Sequence, residues 1–405
     1  MTTHKPLSVR LGQNQNDIQL LVHGQGVFLF EHTDINQPCR FTIYTKDKSQ
    51  GISIEYTTDN MFVHLLPSNE PLIDTANTGG LTKNKGAYYW LSLDSQNQTI
   101  YSGIGESRME TVTYRYIFSN NDKARWEANK IFLESLVLIE IAKESTALKP
   151  IKLLRDPITL ATPLYVRGTD DLTMTDIASG SCIPSSALSP ISKQLYACVA
   201  GKKFVLDNEE FPDFSQAIEY SIATPGKWCY ERLKQKATEF NKNPNIDETY
   251  LRITLGQNNG ESPGIPYVME IWPVGHYSPI HDHGGASAII RVLHGSIHVS
   301  LYSYLCAEKE GITPFGTQVF KKDDITWISE TLNKTHKLLN LPTNTETCIT
   351  IQCYMYEGEN MGHYDYFDYL DDNGQKQQYE PDSDMDFIEF KKTMKKEWLE
   401  QKAAN

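Results

Sequence analysis

The chain is short of positive charge. Its 405 residues carry 38 Lys and Arg against 51 Asp and Glu, a formal net charge of −13 with a pI near 5.4. A nucleic-acid or anionic-membrane partner needs a basic surface, so both are excluded as main ligands. Long apolar runs are also missing. The most apolar stretch, residues 131–142, is interrupted by Glu134 and Glu140 and is too short and too charged to span a bilayer. The opening MTTHKPLSVRLGQNQ has no apolar core of a signal peptide. Cysteine pairing is absent as well. The seven cysteines are odd in number and show no CxxC spacing, which points to reduced thiols and a cytoplasmic location.

Two common catalytic strings fail on inspection. Gly260-Glu261-Ser262-Pro263-Gly264 has the G-x-S-x-G spacing of serine hydrolases. That chemistry takes an oxyanion-hole N–H from the residue after the serine, and Pro263 has none. Gly103-Ile104-Gly105 lacks the third glycine and the following helix of a dinucleotide turn, and is expected to be a hairpin turn.

What is present is mostly strand. From residue 8 to about 120, short runs such as GVFLFEH, CRFTIYT and AYYWLSL alternate with Gly, Asn and Asp turns, the pattern of a β-sandwich. IFLESLVLIEIAKES fits a helix or a buried strand, and its periodicity does not decide. Residues 151–205 are rich in Pro, Gly and Ser and read as a connecting segment. Helices are expected over Phe214–Ile222 and Lys227–Phe240. Strands return from Tyr250, and the acidic HYDYFDYLDDNG reads as a solvated loop. The C-terminal tail is an amphipathic helix with Phe387, Phe390, Met394 and Trp398 on one side. The expected organisation is therefore mainly β: a sandwich-like domain over 1–150, a connector over 151–205 and a second β domain over 206–405.

The chemistry concentrates in PIHDHGGASAIIRVLHG, Pro279–Gly295. His281 and His283 are two apart, which on a strand places both imidazoles on one face. A later strand supplies His336 in KTHKLLN, and a third imidazole from a neighbouring strand completes a facial metal site.

Gly275-x5-His281-x-His283 with Gly295 at the far end of the strand, followed by His336-x3-Asn340, resembles the two cupin motifs. Cupins usually carry a glutamate four or five residues after the second histidine; Ser287 and Ala288 stand there instead. The finer pattern resembles the cysteine dioxygenases. Trp272, Gly275, His276, His281, Asp282, His283, Leu293 and Gly295 fall at that family's spacings, over a resemblance spanning roughly residues 205–375. It implies a cupin (jelly-roll) β-barrel flanked by helices, holding Fe(II) through His281, His283 and His336. It further implies Arg252 and Trp272 as substrate-contacting residues and Tyr354 as the active-site tyrosine. The expected reaction adds O2 to a small carboxylate-bearing thiol, with L-cysteine as the first candidate and a 3-mercapto acid as the second.

Two positions depart from the family. Its eukaryotic members carry, where this chain has Ala288, a cysteine joined to the tyrosine by a thioether. Its serine–histidine–tyrosine relay aligns with Thr350, Gln352 and Tyr354, and a glutamine can hydrogen-bond but not accept a proton near neutrality. A metal-binding cupin acting as sensor or scaffold, or a cupin isomerase using Zn or Mn, remain alternatives. The first half bears a faint likeness to the β-sandwich of farnesoic acid methyltransferase-like proteins and reads as an interaction or ligand-binding module.

Overall fold

The computed structural model describes residues 6–72, 79–81, 87–118, 122–158, 162–201, 204–256, 267–305, 313–356 and 367–404. The chain divides into two compact units, Met1–Ala161 and, in the main, Thr162–Leu305 with Lys309–Asn405.

The first unit is a sandwich of two sheets, each of six strands among the described residues. Gln25–His32 and Tyr88–Asp94 lie at the centre of one sheet; Cys39–Thr45 and Gly51–Tyr56 lie in the other. Alternation puts Phe28 and Phe30 of the first against Phe41 and Tyr56 of the second, with Phe28 and Phe41 edge-to-face at 5.1 Å. The undecided IFLESLVLIEIAKES proves to be both elements. A helix over Lys123–Glu134, capped by the Asp122 side chain on Ala124 N–H, ends at Ser135, and a strand runs over Leu136–Ile141. Gly103 is not a turn but lies within the strand Thr99–Ile104; a Cβ there would stand 2.3 Å from the Trp90 ring. The G-x-S-x-G string at 260–264 lies outside the described residues.

The stretch 151–205 is not a connector. Leu148–Leu154 pairs with Gln25–His32 in the first unit. Tyr165–Arg167 and Cys182–Pro184 form a parallel pair at one edge of the second unit's eight-stranded sheet. The helix Pro190–Val199 follows, with Leu195 and Val199 fully buried in that unit's core. The Pro and Ser that suggested a linker are helix signals: Ser189 caps Ser192 N–H and Pro190 opens the first turn.

The second unit is mainly β and is built on two sheets, as expected. The eight-stranded sheet centres on Ala286–His294, Cys348–Tyr356, Tyr267–Trp272 and Leu251–Gly256. The six-stranded sheet includes Ser296–Leu301, Thr335–Leu339, His281–Asp282 and Phe367–Leu370. Period-two alternation sorts the larger sheet's side chains. Ile253, Met269, Ile271, Ile349, Ile351 and Cys353 pack outward against Phe214, Ile218, Cys229, Leu233, Phe390 and Met394. Those apolar residues come from helices Phe214–Ala223, Trp228–Gln235 and Phe387–Ala404. The second helix stops earlier than its apolar spacing predicts, passing into a 3-10 turn over Lys236–Thr238. Phe367–Leu370, expected as loop, is a strand paired with His281–Asp282, and Tyr369 is buried beside Phe240. Gly295, at φ +66°, makes the tight turn between two strands, where a Cβ would meet Thr347 O at 2.5 Å.

Candidate metal centre

His281 and His336 are direct cross-strand partners, so their side chains leave the sheet side by side. His283 follows just past the end of its strand, before Gly284 at φ +58°. Asp282, between the two histidines, instead ties the strands together. Its carboxylate accepts from Gly284 N–H and the Thr335 hydroxyl, both at 2.6 Å, with Lys334 at 3.9 Å. Burial opposes the Asp282 charge, but Lys334, Thr335 and Gly284 outweigh it and hold the group below the usual carboxylate range.

One ligand atom from each of His281, His283 and His336 lies within 4.8 Å of the others. His281 Nδ1 donates to Pro279 O at 3.1 Å and His336 Nδ1 to Asn333 O at 3.0 Å, which leaves their Nε2 lone pairs directed inward. His281 Nε2 and His283 Nε2 are 3.0 Å apart. Two imidazole nitrogens bound at right angles to one cation at about 2.1 Å stand roughly 3.0 Å apart. The His281–His283 pair has metal-ligand spacing, and the three histidines together form a cluster that could hold a metal ion. Burial, reinforced by His336, pushes His281 down to about 3, and burial also lowers His283 and His336, so all three present neutral imidazole. Ser287 and Ala288, the two positions at which the resemblance would place an acidic ligand, are both buried and neither is acidic.

The triad opens into a cavity of about 320 Å³ between the two sheets. Arg252, Trp272, Thr350, Gln352 and Tyr354 all line it, so the structure gathers the residues singled out by sequence around one space. Tyr354 stacks on His283 at 5.3 Å, and Ala288 is its direct cross-strand partner. Its hydroxyl is pushed well above the ordinary tyrosine value by burial and by Glu270, and it stays protonated. Arg252 is only 5% exposed, and its backbone is fixed by Asp384, which accepts from Arg252 N–H at 2.7 Å and is itself held by Arg232 and Lys236. Burial works against the Arg252 charge, but Glu270 and the neighbouring tyrosines more than offset it and raise its pKa. Thr350 Oγ1, Gln352 Nε2 and Trp272 Nε1 are buried without a hydrogen-bond partner in the protein. All three belong to residues that line the one cavity, where water or a polar ligand would complete them.

Glu270 is a site residue that the sequence reading does not single out. It lines the same cavity, 5% exposed, and is the cross-strand partner of both Arg252 and Thr350. A signal for it exists: in YVMEIW it stands two residues before Trp272 and so shares its face. His276 takes no part in the triad; its Nδ1 is bonded to Thr249 O at 2.9 Å.

No family model matches the chain. Over 106 residues it is 24% identical to cysteine dioxygenase type 1 of Danio rerio, covering 26% of this chain and 50% of that protein. The chain thus spans about half the length of the curated relative it matches. Similar solved structures include the cupin domain of Schizosaccharomyces pombe Cnp3, at 14% identity and TM-score 0.21 over 27% of this chain and 65% of that one. Oxalate oxidase in complex with glycolate gives 16% identity and TM-score 0.22 over 28% and 52%. Caenorhabditis elegans galectin LEC-6 gives 8% identity and TM-score 0.26 over 36% and 94%. The cysteine dioxygenase match covers part of each chain, and the three histidines are a candidate metal site. Among the described residues, no helix is long and apolar enough to cross a membrane.

Proposed function

We propose that this chain is an Fe(II)-dependent thiol dioxygenase, which adds both atoms of O2 to a small thiol and yields its sulfinate. The observation that carries the reading is a buried guanidinium, Arg252, in the same cavity as a triad of neutral histidines with no carboxylate ligand. Iron held by His281, His283 and His336 would supply a dicationic centre with adjacent open positions, favouring a thiolate and activating O2. Arg252 offers a rigid fork for the substrate carboxylate. Tyr354 keeps its proton at the hydroxyl and donates a hydrogen bond next to His283. Gln352 and Thr350 hydrogen-bond the ligand without taking a proton, so the family's relay through a histidine is replaced here by positioning. Ile290, Ile328, Leu338 and Trp327 close the apolar wall and exclude water from the reacting thiol. L-cysteine satisfies the fork and the centre together.

Arg252→Ala tests the anchor. Iron content should be unchanged, while the loss for a carboxylate-bearing thiol in kcat/KM terms is on the order of 2–5 kcal/mol. Cysteamine, without a carboxylate, should be nearly indifferent. Equal losses for both thiols would make Arg252 a structural residue.

Turnover should proceed without a maturation phase. Ala288 faces Tyr354 and has no sulfur, and Cys353 lies on the opposite face in the helix-covered core. Cys348 is six residues along the strand from Tyr354, about 20 Å away at strand rise. Intact mass after prolonged turnover should show no loss of two hydrogens; a tyrosine–cysteine peptide containing Tyr354 would contradict this geometry.

A further inference from the structure

A pair of cysteines sits on the helix-covered side of the larger sheet, behind the cavity. Cys353 lies in the strand Cys348–Tyr356, between Gln352 and Tyr354. Alternation turns it away from the cavity and into the second unit's core, where it is fully buried. The helix Pro190–Val199 packs across this strand, with its Cys198 half-buried against the same core. Both cysteines are free thiols. Tyr267 is the cross-strand partner of Cys353, and its hydroxyl and the Cys353 thiol both donate to the Cys198 sulfur. Two donors converging on one sulfur favour its anion. The Cys353 thiol first, together with Tyr267, holds Cys198 down to about 7 against the opposing effect of burial. Other described cysteines go the opposite way. Burial pushes Cys39 up to about 12 and also raises Cys182, Cys229 and Cys348.

We propose that Cys198 is a peroxide-oxidised thiol and Cys353 its resolving partner, so that a disulfide between them forms a redox latch on the strand behind the cavity. The Cys198 thiolate attacks one oxygen of a hydroperoxide, hydrogen peroxide in the simplest case. The O–O bond breaks, the sulfur gives up two electrons and becomes a sulfenic acid, and the other oxygen leaves as hydroxide and is protonated to water. Cys353 then attacks that sulfur, the S–O bond breaks, and the departing hydroxide takes the Cys353 proton. Two thiols and one peroxide thus give one disulfide and two waters. Partial exposure of Cys198 admits the oxidant, and full burial of Cys353 reserves it for the second step. Bridging draws Cys353 toward the helix. A close-packed interior passes that displacement to Gln352 and Tyr354, its neighbours on the cavity side. The oxidation stands without any function assigned to the cavity, whereas its effect on turnover rests on the thiol dioxygenase reading.

The test treats full-length, metal-free protein with a few equivalents of hydrogen peroxide, so that iron does not divert the oxidant. Peptide mapping after alkylation should find Cys198 linked to Cys353, with a loss of two hydrogens that dithiothreitol reverses; a thioether would survive the reductant. Cys198→Ser should lose thiol to peroxide roughly tenfold more slowly than the wild type. Cys353→Ser should stop at a sulfenic acid on Cys198, trapped by dimedone. A wild-type digest in which Cys198 stays reduced, or in which oxidation is spread evenly over the cysteines, would overturn the proposal, and it needs no variant to fold. The oxidised protein is then loaded with Fe(II) anaerobically, and oxygen uptake with L-cysteine is read over the first turnovers, before substrate reduces the bridge. The initial rate should fall several-fold and recover in protein reduced beforehand. Bridged protein working at the full rate would overturn the latch. No turnover in either form would remove the dioxygenase reading and leave the oxidised pair standing, and turnover without a bridge would do the reverse.

Discussion

Protein carrying His336→Ala should emerge from anaerobic iron loading with background metal, against close to one iron per chain for the wild type. Two imidazoles rarely hold Fe(II) firmly. Losing an inner ligand should cost more than the roughly 10–100-fold attached to losing an outer partner of a ligand. His281→Ala and His283→Ala should behave alike, since the three residues share one cavity and one face of the site. His336 is cross-strand to His281, and among the described residues its ring hydrogen-bonds only Asn333 O, so a folded, metal-poor protein is expected. Metal analysis beside a melting curve separates the two outcomes. Full iron retention in the His336→Ala protein would remove the three-histidine centre.

A chain beginning at Phe204 should fail to fold, and one beginning at Thr162 should fold and bind iron. The sequence places the domain start near residue 205, but the shorter chain lacks Val166, Leu188, Leu195 and Val199, all buried in the second unit's core. Burial of an apolar side chain of this size contributes roughly 1.5–3 kcal/mol, so four amount to about 6–12 kcal/mol. That rivals the whole stability of a typical domain, about 5–15 kcal/mol. The truncation also strips the strand pair Tyr165–Arg167 and Cys182–Pro184 from the sheet edge next to Ile325–Ile328. Solubility and a cooperative melt of the two truncated chains decide it. A well-folded chain starting at Phe204 would mean that the helix Pro190–Val199 is dispensable.

The metal centre was legible because its logic is local. His281 and His283 need only the two-residue period of a strand, and Thr350, Gln352 and Tyr354 share a face for the same reason. Arg252 comes from a distant strand, and only the resemblance to a known spacing brought it to the site; His336 stood out as a third imidazole on a later strand. Other features were hidden by physical ambiguity. The apolar run 131–145 contains a helix end at Ser135 that periodicity averages away. Three-residue strands such as Tyr165–Arg167 are too short to show alternation. Phe367–Leu370 is masked by flanking acids, although sheet pairing decides its conformation. Glu270 lies in an otherwise apolar strand, and the sequence does not show that the strand's inner face borders a polar cavity.

The most direct test of the central claim is turnover under 18O2. Iron-loaded protein is given L-cysteine, and the product is examined by mass spectrometry while oxygen consumption is followed. A thiol dioxygenase yields cysteine sulfinate with both sulfinate oxygens labelled, one O2 consumed per sulfinate, and no turnover once iron is removed. Unlabelled or singly labelled product, or a stable thiol beside a fully iron-loaded protein, would contradict the assignment.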